Sequence, residues 1–419
     1  MFWLYAPRLI RFLHGIGSLG LFFFMVWYFV YRQPAPDYNE MLSVLIGAQV
    51  TIVTVMFSAV LVALQLASAQ FSPRITRLFF RYNSVNQSAF YLFLFGIAYC
   101  AAVKFTYQKD FGTFAFPWMP VAGAVYAYFL ILFVLPRFVF HIADSINIAA
   151  AAYAIAQRTL REIETLYGLQ LWQPGDAERT ENAPPPEGLP IRSPHMGFLD
   201  SIHFDRLNRL ATRHPDWAFQ VQAVVGTFIS PDEPLMMALP PAGQTAMPPG
   251  MEDAVGKAFR ISSFRSYELD VSFGVRQLVD IAIKAISPAV NDPTTAINCL
   301  HYLGAIVRRQ GLATYPSLAA RAAAPNLVLR EFSYRSLVNL AFDQIYQWGK
   351  HDPVVVSQIL ATLSDVARGL QNPHCLHVLR QQVQNFELDS LSFDTAEQRE
   401  RVARRRAECE AALGGGDEG

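Results

Sequence analysis

The densest set of side chains able to do chemistry lies between Arg276 and Thr295, in the run RQLVDIAIKAISPAVNDPTT. Arg276, Asp280 and Lys284 are spaced four apart, so a helix places them on one face, where they can form an ion-pair ladder. Ser-Pro and Asn-Asp-Pro then punctuate the chain. Asp292 before Pro293 is a start signal, a capping carboxylate followed by proline at the first helical position. Asn291, Asp292, Thr294 and Thr295 would meet the ladder where the two helices join. The set reads either as a ladder plus a helix cap or as a polar pocket or subunit contact. No residue in it is a nucleophile with a base at hand, so the chemistry it offers is binding.

Other motifs carry less. Gly15, Gly17 and Gly20 match GxGxxG, but no strand precedes them and they open an apolar run; close helix packing is the better reading. His374 and His377 can share a helix face, yet nothing nearby in sequence completes a metal set. No Walker A, HExxH or GxSxG sequence is present. The chain is therefore expected to be no enzyme and to need no cofactor or metal. Arg401, Arg404, Arg405 and Arg406 alternate with Glu397, Glu400, Glu408 and Glu410, the pattern of a solvated helix face.

A different pattern runs through Met41 to Arg74, where no charge appears before Arg74. As one helix, Met41 to Gln70 would be about 45 Å long, more than the ~30 Å hydrocarbon core of a bilayer. On a helical wheel, Ser43, Gly47, Thr51, Thr54, Ser58, Gln65 and Ser68 fall within an arc of roughly 100°. Leu61 is the large apolar residue inside that arc. Such a stripe reads as tight helix packing or as the lining of a water-filled path shared by several copies.

The elements around these residues follow from composition. The 419 residues are 52% hydrophobic and 16% charged, which suits a membrane portion joined to a soluble one. Lys+Arg and Asp+Glu number 34 each, so no general attraction to nucleic acid is implied. The cysteines Cys100, Cys299, Cys375 and Cys409 are widely spaced and read as free thiols. Spans are expected at about Leu13 to Tyr31, at Met41 to Gln70, at Ala89 to Phe105 and at Val121 to Phe140. Seven Lys and Arg flank the inner ends against three outside, which places both termini in the cytoplasm of a bacterial inner membrane. The fourth span is expected to continue as a stalk, kinked at Pro136. Residues 173–195 are proline-rich and read as a loop. Short strands at Gly197–Phe204, Ala218–Val225 and Leu235–Leu239 then form a small barrel or sandwich, with a helix capped by Asp205. From Asp270 the pattern is helical.

Two blocks, VALQLASAQFSPR from Val62 and FGVRQLVDIAIKAISPAVNDPTTA from Phe273, resemble the signature blocks of the bacterial predicted membrane proteins called domain of unknown function 2254. The resemblance covers nearly the whole chain. It implies four membrane helices followed by a cytoplasmic region, and no established activity. The expected fold is a membrane α-helical domain of four transmembrane helices (1–140), followed by a cytoplasmic α+β region. That region comprises a stalk helix (141–172), the loop (173–195), a small β-rich module (196–265), a helical C-terminal domain (266–413) and a disordered tail (414–419). The expected function is a homo-oligomeric channel for ions or small solutes, lined by the second span and gated from the cytoplasmic region. The alternative is a membrane-anchored sensor or scaffold that binds a ligand or partner at the Arg276–Thr295 cluster.

Overall fold

A computed structural model describes residues 38–70, 84–109, 118–145, 147–167, 187–231, 233–266, 269–313, 322–330 and 332–414. The chain divides into two compact units, Met1–Asn147 and Ile148–Gly419. The first expected span, the GxGxxG glycines and the arginines just after Gln70 lie outside the described residues.

The N-terminal unit contains α1 (Tyr38–Gln70), α2 (Ser84–Lys109) and α3 (Trp118–Ser145), each packed on the other two. Tyr38–Ala63 and Met119–Phe140 are long and apolar enough to cross a membrane, and Phe90–Thr106 is a shorter apolar stretch. At ~1.5 Å per residue, the 33 residues of α1 reach about 50 Å. Among the described residues there are thus two candidate spans and one shorter apolar stretch, not four established spans. Two apolar clusters hold the helices together. Leu42, Cys100, Val103, Val121 and Ala124 form one, and Met56, Phe93, Ile131 and Phe138 the other. Many large apolar side chains point outward instead, among them Val55, Phe95 and Phe140, as helices solvated by lipid require.

The stalk expectation does not hold as drawn. α3 contains Pro136 without ending there, stops at Ser145, and a separate helix, α4 (Ile148–Tyr167), begins. α4 buries Ala152, Ile155, Ala156, Thr159, Ile163 and Leu166 and packs on two helices of the C-terminal unit. Its apolar residues recur every three to four positions, so burying that face in a core outweighs extension into solvent.

The C-terminal unit begins as two small sheets. β1 (Leu189–Arg192), β2 (Gly197–Ile202), α5 (Phe204–Arg213), β3 (Ala218–Val221), β4 (Phe228–Ile229), β5 (Pro234–Leu239), α6 (Met251–Gly256) and β6 (Phe259–Ser262) follow in order. One sheet has the order β1-β5-β3-β7 and the other β4-β2-β6. Their shared core includes Leu199, Leu207, Phe219, Val221, Met236 and Val255. The strand β7 (Leu327–Val328) comes from far along the chain and pairs parallel to β3. Three sequence expectations are corrected here. β1 lies within the proline-rich run, where Pro190 is tolerated because β1 is an edge strand. β4 falls between the second and third expected strands, in the stretch Gly226 to Pro234 that its Gly and Pro residues mark as a turn. α5 is capped at His203, not Asp205, which sits in the first turn.

The helices that follow are α7 (Val271–Ala285), α8 (Pro293–Gly311), α9 (Tyr334–Gly349), α10 (Pro353–Arg368), α11 (Pro373–Gln384) and α12 (Ala396–Gly414). The start signal at Asp292 works as read, and two other helices begin in the same way. Asp292 accepts from the Thr295 amide, Asp352 from Val354 and Val355, and Asn372 from His374 and Cys375. α7 packs on α4, α8 and α9. Gly274 makes the α4 contact close: a Cβ there would lie 1.8 Å from the Thr159 hydroxyl oxygen.

Candidate functional sites

The α1 stripe faces away from the packed core. Ser43, Gly47, Thr51, Thr54, Ser58, Leu61 and Gln65 are all exposed. Ser68 belongs to the same helix, its side chain outside the described set. Each hydroxyl finds an acceptor on its own helix four residues back: Ser43 on Asn39 (2.7 Å), Thr51 on Gly47 (2.8 Å), Thr54 on Val50 (2.9 Å) and Ser58 on Thr54 (2.9 Å). Back-bonded hydroxyls need no neighbouring helix to satisfy their donors. At one end Lys104 of α2 donates to Ser43 Oγ at 2.7 Å. The exposed arc is wider than the stripe, since Val44, Val55 and Val62 flank it.

The residue of α1 that does turn into the core is Gln49, which sequence reasoning passed over. It is fully buried; its Nε2 donates to Cys100 Sγ at 3.5 Å and its Oε1 has no partner among the described residues. Gly96 faces it across the helix contact, where a Cβ would meet Nε2 at an ordinary 3.7 Å but would crowd Ile131 Cδ1 at 2.7 Å. A lone amide among apolar neighbours was the available signal, because a polar group in a membrane interior demands a partner.

The Arg276–Thr295 residues lie at α7 and the start of α8. Arg276 donates to Gln344 of α9, while Lys284 is exposed. Asp292 is held by the Thr295 hydroxyl at 2.5 Å and the Thr295 amide at 3.1 Å. Those bonds hold its carboxyl below the usual range. Asp292 and Thr295 are thus a helix cap. Asn291 takes a left-handed conformation, φ 50°, and it and Thr294 are exposed. The sequence placed these groups near one another, but the helix start consumes the polar capacity of Asp292.

A more elaborate polar site stands one helix length earlier. Arg265 grips Asp270 with a fork, Nε to Oδ2 at 2.9 Å and Nη2 to Oδ1 at 2.9 Å. Ser272 donates to Asp270 Oδ1 at 2.8 Å, and the Phe273 amide donates to the same oxygen at 3.0 Å. Asp270 is 4% exposed. Burial pushes its carboxyl above the ordinary value, against the opposing pull of Arg265 and the hydrogen bonds. Gly226, at φ +86°, passes so close that a Cβ would fall 2.3 Å from Asp270 Oδ2. Only glycine supplies both that backbone and that clearance.

Asp270 and Ser272 line a cavity of about 40 Å³, together with Phe204, Gln310, Arg330 and Leu337. Its walls are otherwise apolar. Gln310 is 3% exposed and its Oε1 has no partner among the described residues.

Long apolar helices with an exposed hydroxyl stripe, followed in the chain by a mixed C-terminal unit, define a multi-helix membrane protein with a substantial folded domain. The family profile of predicted membrane proteins, domain of unknown function 2254, matches residues 9–365, and the chain belongs to that family. Uncharacterized proteins of Mycobacterium tuberculosis and Mycobacterium bovis are 30% identical over 349 residues, 80% of this chain. The chain spans 65% of the length of these relatives. No solved structure matches it.

Proposed function

We propose that the chain assembles as a homo-oligomer in a bacterial inner membrane and conducts ions or small solutes along an axis lined by α1. The supporting observation is the exposure of the whole described stripe, Ser43 to Gln65, with the other described helices packed on the opposite side of α1. Copies meeting along this face would line a path with small residues and hydroxyls. Leu61, 45% exposed, would be its apolar constriction. The C-terminal unit would lie in the cytoplasm and gate the path. Reconstituted vesicles test this: Leu61→Ser should raise ion leak and Thr54→Val should lower it. Unchanged flux in both variants removes the lining assignment. Native mass in nanodiscs gives an independent check, since a monomer has no shared axis.

A second reading, a membrane-anchored sensor without a pore, draws on the cavity beside Asp270. Its ligand site would then be that cavity and not the Arg276–Thr295 cluster.

A further inference from the structure

Two of the polar groups lining the cavity lack partners among the described residues. The Gln310 amide oxygen is buried without a donor. The Arg330 guanidinium is exposed and makes no ion pair or hydrogen bond among the described residues. Asp270 is different: its oxygens are already taken by Arg265, Ser272 and the Phe273 amide. An occupant therefore meets one buried acceptor, one guanidinium and apolar walls such as Phe204 and Leu337. A buried amide oxygen left unpaired keeps its full desolvation cost, so a donor is the complement to look for. A guanidinium favours a planar anion that can take two parallel N–H bonds, which is a carboxylate. Size narrows the class. One water needs roughly 10–15 Å³ by this measure, so a cavity of about 40 Å³ holds only a few heavy atoms.

We infer that this cavity binds a short carboxylate anion carrying a hydroxyl or amino donor, with the carboxylate on Arg330 and the donor on Gln310 Oε1. The site lies wholly within the C-terminal unit and does not depend on the existence of a pore. It brings together α4, the β-rich module and the starts of α7 and α9, so occupancy would tie those elements to one another.

Titration calorimetry on the full-length protein in nanodiscs tests the assignment with glycolate, and with acetate, which keeps the carboxylate and lacks the hydroxyl donor. Glycolate should give a saturable heat, and acetate should bind at least tenfold more weakly. Arg330→Gln should weaken both by tenfold or more; its side chain is exposed, so folding is not at stake. Gln310→Leu should erase the preference for glycolate over acetate. If glycolate gives no saturable heat up to tens of millimolar, the cavity holds water alone and the inference falls. Equal binding of glycolate by wild type and Arg330→Gln, or equal binding of both anions by wild type, also overturns it.

Discussion

On α1 the hydroxyls of Thr51, Thr54 and Ser58 stand on an exposed face and donate to carbonyls four residues back. At the start of α7 the Asp270 carboxylate is buried and held by Arg265, Ser272 and an amide. The first arrangement is local: each donor is satisfied by its own helix, whatever lies across from it. The second depends on Gly226, Arg265 and the α7 terminus arriving together, so it exists only in the folded unit. Polarity in the N-terminal unit is thus free to meet water or another copy, whereas in the C-terminal unit it is part of what fixes the fold. Gln49 departs from this pattern in the first unit, a buried amide with one described partner, on another helix.

The sharpest way to break this contrast is at Asp270. Asp270→Ala leaves Arg265 without its carboxylate and α7 without its cap. Removing one partner of a buried pair costs roughly 3–5 kcal/mol, read as a fall in the urea or thermal midpoint. Pairing the variant with Arg265→Gln should restore part of the loss, because the stranded charge is gone. A cost no larger than that of an ordinary surface change, about 0.5 kcal/mol, would show that the site is not a fold determinant. Next in size is Gly274→Ala, which drives a methyl onto Thr159. Overpacking of this kind costs about 1–3 kcal/mol, and Thr159→Ala should rescue it. Absence of rescue would mean that α4 does not sit against α7 as described.

What the sequence made legible follows the same division. The helix starts at Asp292, Asp352 and Asn372 were readable because a cap and its amides lie within three residues. The helical stripe was readable because periodicity is a property of one segment. β7 was missed because a two-residue strand has no pattern of its own; its identity comes from pairing with Phe219 and Gln220. Asp270 could be seen as a boundary, but its grip by Arg265 across a turn and its clearance beside Gly226 are tertiary facts. The Arg276, Asp280 and Lys284 spacing was legible as a helical face, since all three lie on α7; that Arg276 also reaches Gln344 on another helix is a tertiary fact.

Thiol chemistry gives a smaller and more selective readout. Cys100, Cys299, Cys375 and Cys409 are all buried and none is held in a disulfide. Burial pushes the Cys299 and Cys409 thiols up to about 12. Maleimide at neutral pH should therefore leave Cys299 and Cys409 unmodified in folded protein and label them on unfolding. The unfolded thiol ionises near 9.0 while the folded one keeps its proton. Stability from these two groups is thus fully present below pH 9 and is lost as pH rises toward 12. Labelling of Cys299 or Cys409 at neutral pH without unfolding would contradict their place in the core. Against this quiet background, single cysteines at Thr51, Thr54 and Ser58 should react with a water-soluble maleimide in the membrane. Uniform protection of all three would place the stripe in a packed or lipid-facing contact and break its contrast with the core.

The smallest expected effect is the stability change of Thr54→Val. Its hydroxyl donates only to Val50 of the same helix, and Val is close to Thr in shape. If the stripe were glue between helices, the substitution would strip a bond between them, and variants at Thr51 and Ser58 would add to the loss. With the hydroxyls back-bonded, all three changes should stay within about 0.5 kcal/mol in detergent unfolding. Flux should still fall, because the changed surface is the one proposed to contact permeating water. Stability and conductance thus separate on α1, whereas at Asp270 stability is the direct readout. A Thr54→Val variant that loses stability in step with conductance would make the stripe a structural seam, and the native oligomer would then be held together along the face assigned to the pore.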